Sequence, residues 1–261
     1  MNFQLPFLPE RAAKPRQNGL TMMMDKGLSL NEAENFVASS ADYCDLIKFG
    51  FGTALITKDL EKKMKVYRQA GLQPYFGGTL FEAFIIRDMF EDYRKLIDKY
   101  KLEVIEVSDG SMELNHDEKL KYIEILSKQV TVLSEVGSKQ SGIVIPMEKW
   151  ISMMQSELKA GAWKVIAEAR ESGNIGIYNA DGSANTALID DIVLEVGAEN
   201  VLWEAPNKNQ QVWFIKLLGA NVNLGNIASN EVVPLETLRI GLRGDTFFEY
   251  LPEPLKEKKQ K

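Results

Sequence analysis

Short apolar runs along this chain alternate with longer stretches whose apolar residues recur every three or four positions. The runs are "LTMMM", "CDLIKF", "QPYFG", "LEVIEV", "VTVLSE", "WKVIAEA", "NVLWEA" and "NVNLG". Each has the length of a strand, and most lead into a helical pattern. In "TKDLEKKMKVYRQAG" the residues Leu60, Met64 and Tyr67 share one helical face and Gly71 supplies a stop. "TLFEAFIIRDMFEDYRKLIDKY" predicts one long helix with Ile85, Met89 and Leu96 toward a sheet. "SLNEAENFVASSA" opens with Ser29 and Glu32 at capping-box spacing. Eight strands with intervening helices predict a single-domain α/β fold, a TIM (β/α)8 barrel over residues 19–250. An open doubly wound sheet is the alternative, but "GFGTAL" after the second strand lacks the third glycine of a dinucleotide fingerprint.

The period of two along a strand sharpens this picture. Val104 shares a face with Glu106, Leu133 with Glu135, Ile166 with Glu168, and Leu202 with Glu204. In a barrel these four acids fall at the carboxyl ends of strands four to seven, on the face that carries active sites. Buried carboxylates repel one another unless cations neutralise them, so they are candidate ligands for a metal that prefers oxygen, with Mg2+ the simplest choice. The competing reading pairs them with basic residues of the same rim, Lys26, Lys48, Lys139 and Arg170. Of these, Lys48 and Lys139 are also candidate catalytic groups, since a buried lysine can act as an acid or a Schiff-base nucleophile. Lys26 and Arg170 are candidates for binding an anionic substrate, together with Asn223, Gly225, Arg239 and Arg243 in "NVNLGNI" and "LRIGLRGDT" near the eighth strand, where barrels often hold phosphate. "ESGNIGIYNADG" is long enough to form a mobile lid.

Composition narrows the chemistry. The 261 residues carry a net charge of −6, which argues against a nucleic-acid-binding surface. Cys44 is the sole cysteine and His116 the sole histidine, so one chain cannot build a disulfide framework or a multi-histidine metal site. His116 is expected at the surface near a helix start, and Cys44 in packing. No run of about 18 apolar residues suggests a membrane span, and a cytoplasmic setting is expected. Residues 1–18 and 251–261 are expected to form frayed or partner-contacting arms.

The motifs "GLTMMMDKG", "IKFGFGT", "GGTLFE", "VSDGS", "EVGSK", "ARESG", "EAPNKNQQVWFI", "VNLGNI" and "LETLRIGLRGDT", in this order, resemble the phosphosulfolactate synthase family from Gly19 to Phe247. The resemblance implies a TIM barrel and a magnesium-dependent lyase reaction. It would join sulfite to phosphoenolpyruvate to give (2R)-2-phospho-3-sulfolactate. It also implies that Lys139 donates the proton, and a homo-oligomer is expected. Phe51 stands where the family often has Trp, and Ile240 where it has Arg. Two other readings remain: an aldolase-like lyase using Lys139 or Lys48 as a Schiff base, and a non-catalytic, stress-associated barrel.

Overall fold

The computed structural model describes residues 2–137, 145–170 and 172–257. Eight strands follow one another as β1 (Thr21–Asp25), β2 (Leu46–Phe49), β3 (Gln73–Phe76), β4 (Val104–Val107), β5 (Thr131–Val136), β6 (Lys164–Ala167), β7 (Val201–Glu204) and β8 (Leu224–Ile227). Hydrogen-bonded neighbours are parallel throughout, in the order β3-β2-β1-β8-β7-β6-β5-β4. The end strands β3 and β4 pack against each other, so the sheet is a nearly closed barrel. This is the TIM-barrel architecture that the alternation of runs predicts.

Side-chain alternation divides the core in two. Leu20, Met22, Leu46, Tyr75, Val104, Leu133, Ile166 and Leu202 fill the barrel interior, and the other strand faces pack against the helices. Gly225 belongs to this interior: a Cβ there would lie 2.8 Å from Cε of Met22. It makes room for a core methionine, which corrects its reading as a substrate-binding glycine. Two residues beyond the apolar layer, toward the carboxyl ends, stand Lys48, Glu106, Glu135, Glu168 and Glu204, all buried. The polar floor of the site therefore rests on a dry apolar plug.

The eighth strand starts three residues later than "NVNLG" suggests. The Asn223 side chain accepts from Leu20 N at 3.2 Å and donates to Val201 O at 3.1 Å, while Arg239 takes Val222 O at 2.7 Å. Side chains thus satisfy these backbone groups before the ladder begins.

The helices are α1 (Leu30–Ser40), α2 (Leu60–Gln69), α3 (Gly78–Ile85), α4 (Phe90–Tyr100), α5 (His116–Leu126), α6 (Met147–Lys159), α7 (Thr186–Glu195), α8 (Lys208–Leu218), α9 (Val232–Arg239) and the short α10 (Glu253–Lys256). The capping box forms between Ser29 and Glu32. In α2 Met64 and Tyr67 are buried as the spacing predicts, and Gly71 adopts φ +72° beyond the helix end. The long helix predicted after β3 is instead two. Asp88 turns the chain at φ +55°, Met89 is left exposed, and Tyr93 with Ile97 carry the buried face of α4.

The amino-terminal arm is tied down rather than frayed across residues 11–18. Arg16 forms a buried ion pair with Asp45 at 2.9 Å, and Arg11 meets Glu236 at 2.9 Å and Ala220 O at 2.8 Å. The arm lies against the amino ends of the strands, opposite the acidic floor. Cys44 is packed as expected, and burial pushes its thiol up to about 12. Among the described residues, no helix is long and apolar enough to cross a membrane.

Candidate active site

A cavity of about 510 Å³ opens at the carboxyl ends of the strands, a volume suited to a small ligand. Its lining includes Lys48, Thr79, Ser111, Glu135, Glu168, Arg170, Ser172, Glu204 and Asn226. Glu135, Glu168 and Glu204 each bring a carboxylate oxygen within 4.8 Å of the other two. Three converging carboxylates of this kind form an all-oxygen donor set, which suits a hard divalent cation such as Mg2+.

Lys48 stands beside them. Its Nζ lies 2.8 Å from Glu106, 3.3 Å from Glu135 and 3.6 Å from Glu204. Burial alone would depress this amine, but the three carboxylates, helped by Tyr75, hold its pKa well above the usual lysine value. Burial has the opposite effect on Glu204, pushing it up to about 7 against the pull of Lys48, with Glu135 adding repulsion. Its Oε2 accepts from Ala169 N at 3.0 Å.

Close backbone approaches place the trio. Gly137, at φ +138°, leaves space for Glu168, whose Cβ would sit 2.5 Å from a Cβ at that glycine. Gly176, at φ +75°, comes so near that a Cβ there would lie 1.9 Å from Glu168 O. Only glycine serves at these two positions. Behind Glu135, the fully buried Lys119 of α5 donates to its carbonyl at 2.6 Å and pairs with Asp109 and Glu157, each at 2.9 Å. His116, at the start of α5, lies against this network rather than at the open surface: it is half-buried, with Nε2 2.9 Å from Ser156 Oγ.

The segment predicted as a mobile lid is anchored over residues 172–185. Gln210 Nε2 donates to Gly173 O at 2.8 Å, Tyr178 OH to Glu204 O at 2.7 Å, and Tyr178 pairs with Ala184 in an antiparallel bridge.

The sequence candidates fall into distinct groups. Glu135, Glu168, Glu204, Lys48 and Arg170 meet at the cavity. Lys139 lies outside the described residues. Glu106 separates from the trio: its oxygens meet Lys48, Gly78 N at 2.7 Å and Tyr75 OH at 3.1 Å. It pairs with Lys48 and is not among the three carboxylates whose oxygens converge. Lys26 is exposed on the turn after β1 and does not line the cavity. Arg243 sits in the turn past α9, also away from the lining.

Asn223 and Arg239 are corrected outright. Both lie at the amino end of the barrel, where Arg239 is fully buried and donates to Ala220 O, Val222 O and Leu20 O at 2.8, 2.7 and 3.1 Å. Arg239 closes the base of the barrel, so Arg239→Ala is expected to cost about 3 kcal/mol or more of stability, since three charge-assisted bonds are lost and carbonyls stay buried. Denaturant unfolding checks this. Ligand binding at the carboxyl-end cavity by the remaining folded protein should stay within about twofold, because a group at the opposite end makes no contact there.

Sequence reasoning missed Asn226, Thr79, Ser111 and Ser172. Asn226 reaches the cavity because its φ of +58° and the register shift between β8 and β1 break the alternation just after the inward Gly225. Thr79 stands in the first turn of α3, and Ser111 and Ser172 sit in loops, where no periodicity marks them.

An eight-stranded parallel barrel with a carboxylate-lined cavity at the carboxyl ends of its strands defines this protein as a TIM barrel with its candidate site on the usual face. The particular family is settled by comparison: the chain belongs to the (2R)-phospho-3-sulfolactate synthase (ComA) family, whose profile matches residues 9–245. It is 40% identical over 244 residues to the phosphosulfolactate synthase of Bacillus subtilis (strain 168), covering 92% of this chain and 97% of that one. To the phosphosulfolactate synthase of Methanothermobacter thermautotrophicus it is likewise 40% identical over 244 residues, covering 91% and 95%. In fold alone it is similar to 3-hexulose-6-phosphate synthase from Salmonella typhimurium, with a TM-score of 0.56 at 13% identity, over 86% of this chain and 100% of that one.

Proposed function

We propose that this chain adds sulfite to phosphoenolpyruvate in a magnesium-dependent reaction that forms (2R)-2-phospho-3-sulfolactate. The observation that carries the reading is the convergence of Glu135, Glu168 and Glu204 beside Lys48 in a cavity with Arg170 at its mouth. Glu135, Glu168 and Glu204 would hold Mg2+, and the all-oxygen donor set fits it. When bound, Mg2+ supplies Lewis-acid stabilisation for negative charge on the substrate carboxylate.

The sulfur lone pair of sulfite attacks the methylene carbon, forming the C–S bond. The π pair of the double bond moves to the neighbouring carbon and spreads into the carboxylate. A proton delivered to that carbon from one face completes the addition and sets its configuration. Lys139 is proposed as the donor. Arg170 is proposed to meet the phosphate, and the Thr79 and Ser172 hydroxyls also line the cavity. Lys48 acts as a fixed positive charge. Three carboxylates keep it protonated, which disfavours the Schiff-base alternative, since imine formation needs the neutral amine.

The test is product formation. Purified protein with phosphoenolpyruvate, sulfite and Mg2+ is expected to yield the sulfonate adduct by mass analysis, and chelation should stop it. Consumption of neither substrate would overturn the reading.

A further inference from the structure

Asn226 holds a conformation that side chains rarely adopt. It lies in β8 at φ +58°, next to a register shift between β8 and β1, and is 5% exposed. Strained backbone of this kind persists where the surroundings enforce it, and clusters at ligand sites.

The orientation of its amide is set by its neighbours. Nδ2 faces Ala169 O at 3.3 Å and Glu204 Oε2 at 3.5 Å, and both are acceptors. The amide nitrogen must therefore point at them, which turns Oδ1 the other way. That oxygen is buried and meets no hydrogen-bond donor among the described residues. Asn226 also lines the cavity that the trio shares.

A buried carbonyl oxygen without a donor calls for an electrophilic partner. The acceptor oxygens of phosphoenolpyruvate do not fill that role; a cation does. Charge explains why an amide stands here. Glu106, Glu135, Glu168 and Glu204 already bring four carboxyls to this end of the barrel. A neutral oxygen adds a ligand without adding charge.

We propose that Asn226 Oδ1 is the neutral fourth oxygen ligand of the cation held by Glu135, Glu168 and Glu204. This rests on the reading of that trio as a magnesium site. Four protein oxygens would leave room on such an ion for substrate oxygens.

Calorimetric titration of the whole, metal-free protein with Mg2+ alone tests this without reference to turnover. Asn226→Gly suits the positive φ and should keep the metal-free melting temperature at or above that of the parent, while weakening Mg2+ binding at least tenfold. Asn226→Asp restores an oxygen but no amide donor, and should bind Mg2+ at least as tightly as the parent. If Asn226→Gly binds Mg2+ within threefold of the parent, or Asn226→Asp is as weak as Asn226→Gly, the ligand role is overturned while the trio stands. A parent protein that binds no Mg2+ overturns both.

Discussion

Lys48→Met is expected to lose about 3 to 5 kcal/mol of stability at pH 8 and to reduce turnover at least a hundredfold. Lys48 meets Glu106, Glu135 and Glu204 within 3.6 Å, with all four groups buried. Methionine keeps the volume and removes the charge, and losing one partner of a buried ionic cluster typically costs about this much. The sign with pH follows from the shifts. The pKa of Lys48 is held above its unfolded value, so its contribution is complete below about 10.5 and is lost only as pH rises through the folded value. Without it, Glu204, already pushed up to about 7, moves higher still. A carboxyl raised in the folded state destabilises as pH rises from its unfolded value through its folded one. The deficit should therefore be small at pH 5 and large at pH 8, and Mg2+ should recover part of it. Denaturant unfolding at both pH values decides: a variant as stable as the parent at pH 8 would mean that Lys48 does not neutralise the floor.

Lys139→Ala is expected to abolish turnover, by a hundredfold or more, and to leave phosphoenolpyruvate binding within about tenfold. A proton donor acts in the transition state, so its removal lowers kcat without a matching loss of ground-state affinity. Steady-state kinetics paired with direct binding measurements separate the two. Retention of more than roughly a tenth of the activity would exclude Lys139 as the acid, since loss of a general acid costs about a hundredfold or more.

What the chain discloses at first sight follows from periodicity. The apolar runs reveal all eight strands because a parallel barrel buries both faces of each. The period of two then puts Glu135, Glu168 and Glu204 on the inward face with Leu133, Ile166 and Leu202, as found. Glu106 has the same pattern and a different fate, because Tyr75 OH and Gly78 N reach it across the β3–β4 seam and no local spacing encodes that seam. Charged residues on helices were harder to read. Lys119 sits on the buried stripe with Ile123 and Leu126, where a lysine on an apolar face is itself the clue to a buried network. Arg239 misled because an arginine after the eighth strand suits a phosphate site. It stands at the last residue of α9, and that helix has by then carried it to the other end of the barrel. Asn226 was hidden because its positive φ and the adjacent register shift break the strand alternation, and no local spacing encodes that break.

Crystals soaked with Mn2+, which takes the same hard oxygen ligands as Mg2+ and scatters anomalously, would test the centre of this reading most directly. The expected result is one anomalous peak in the barrel mouth, within bonding distance of Glu135, Glu168 and Glu204 and lost in Glu168→Gln. A barrel mouth with no such peak, in crystals of protein that still forms the sulfonate after chelation, would contradict it.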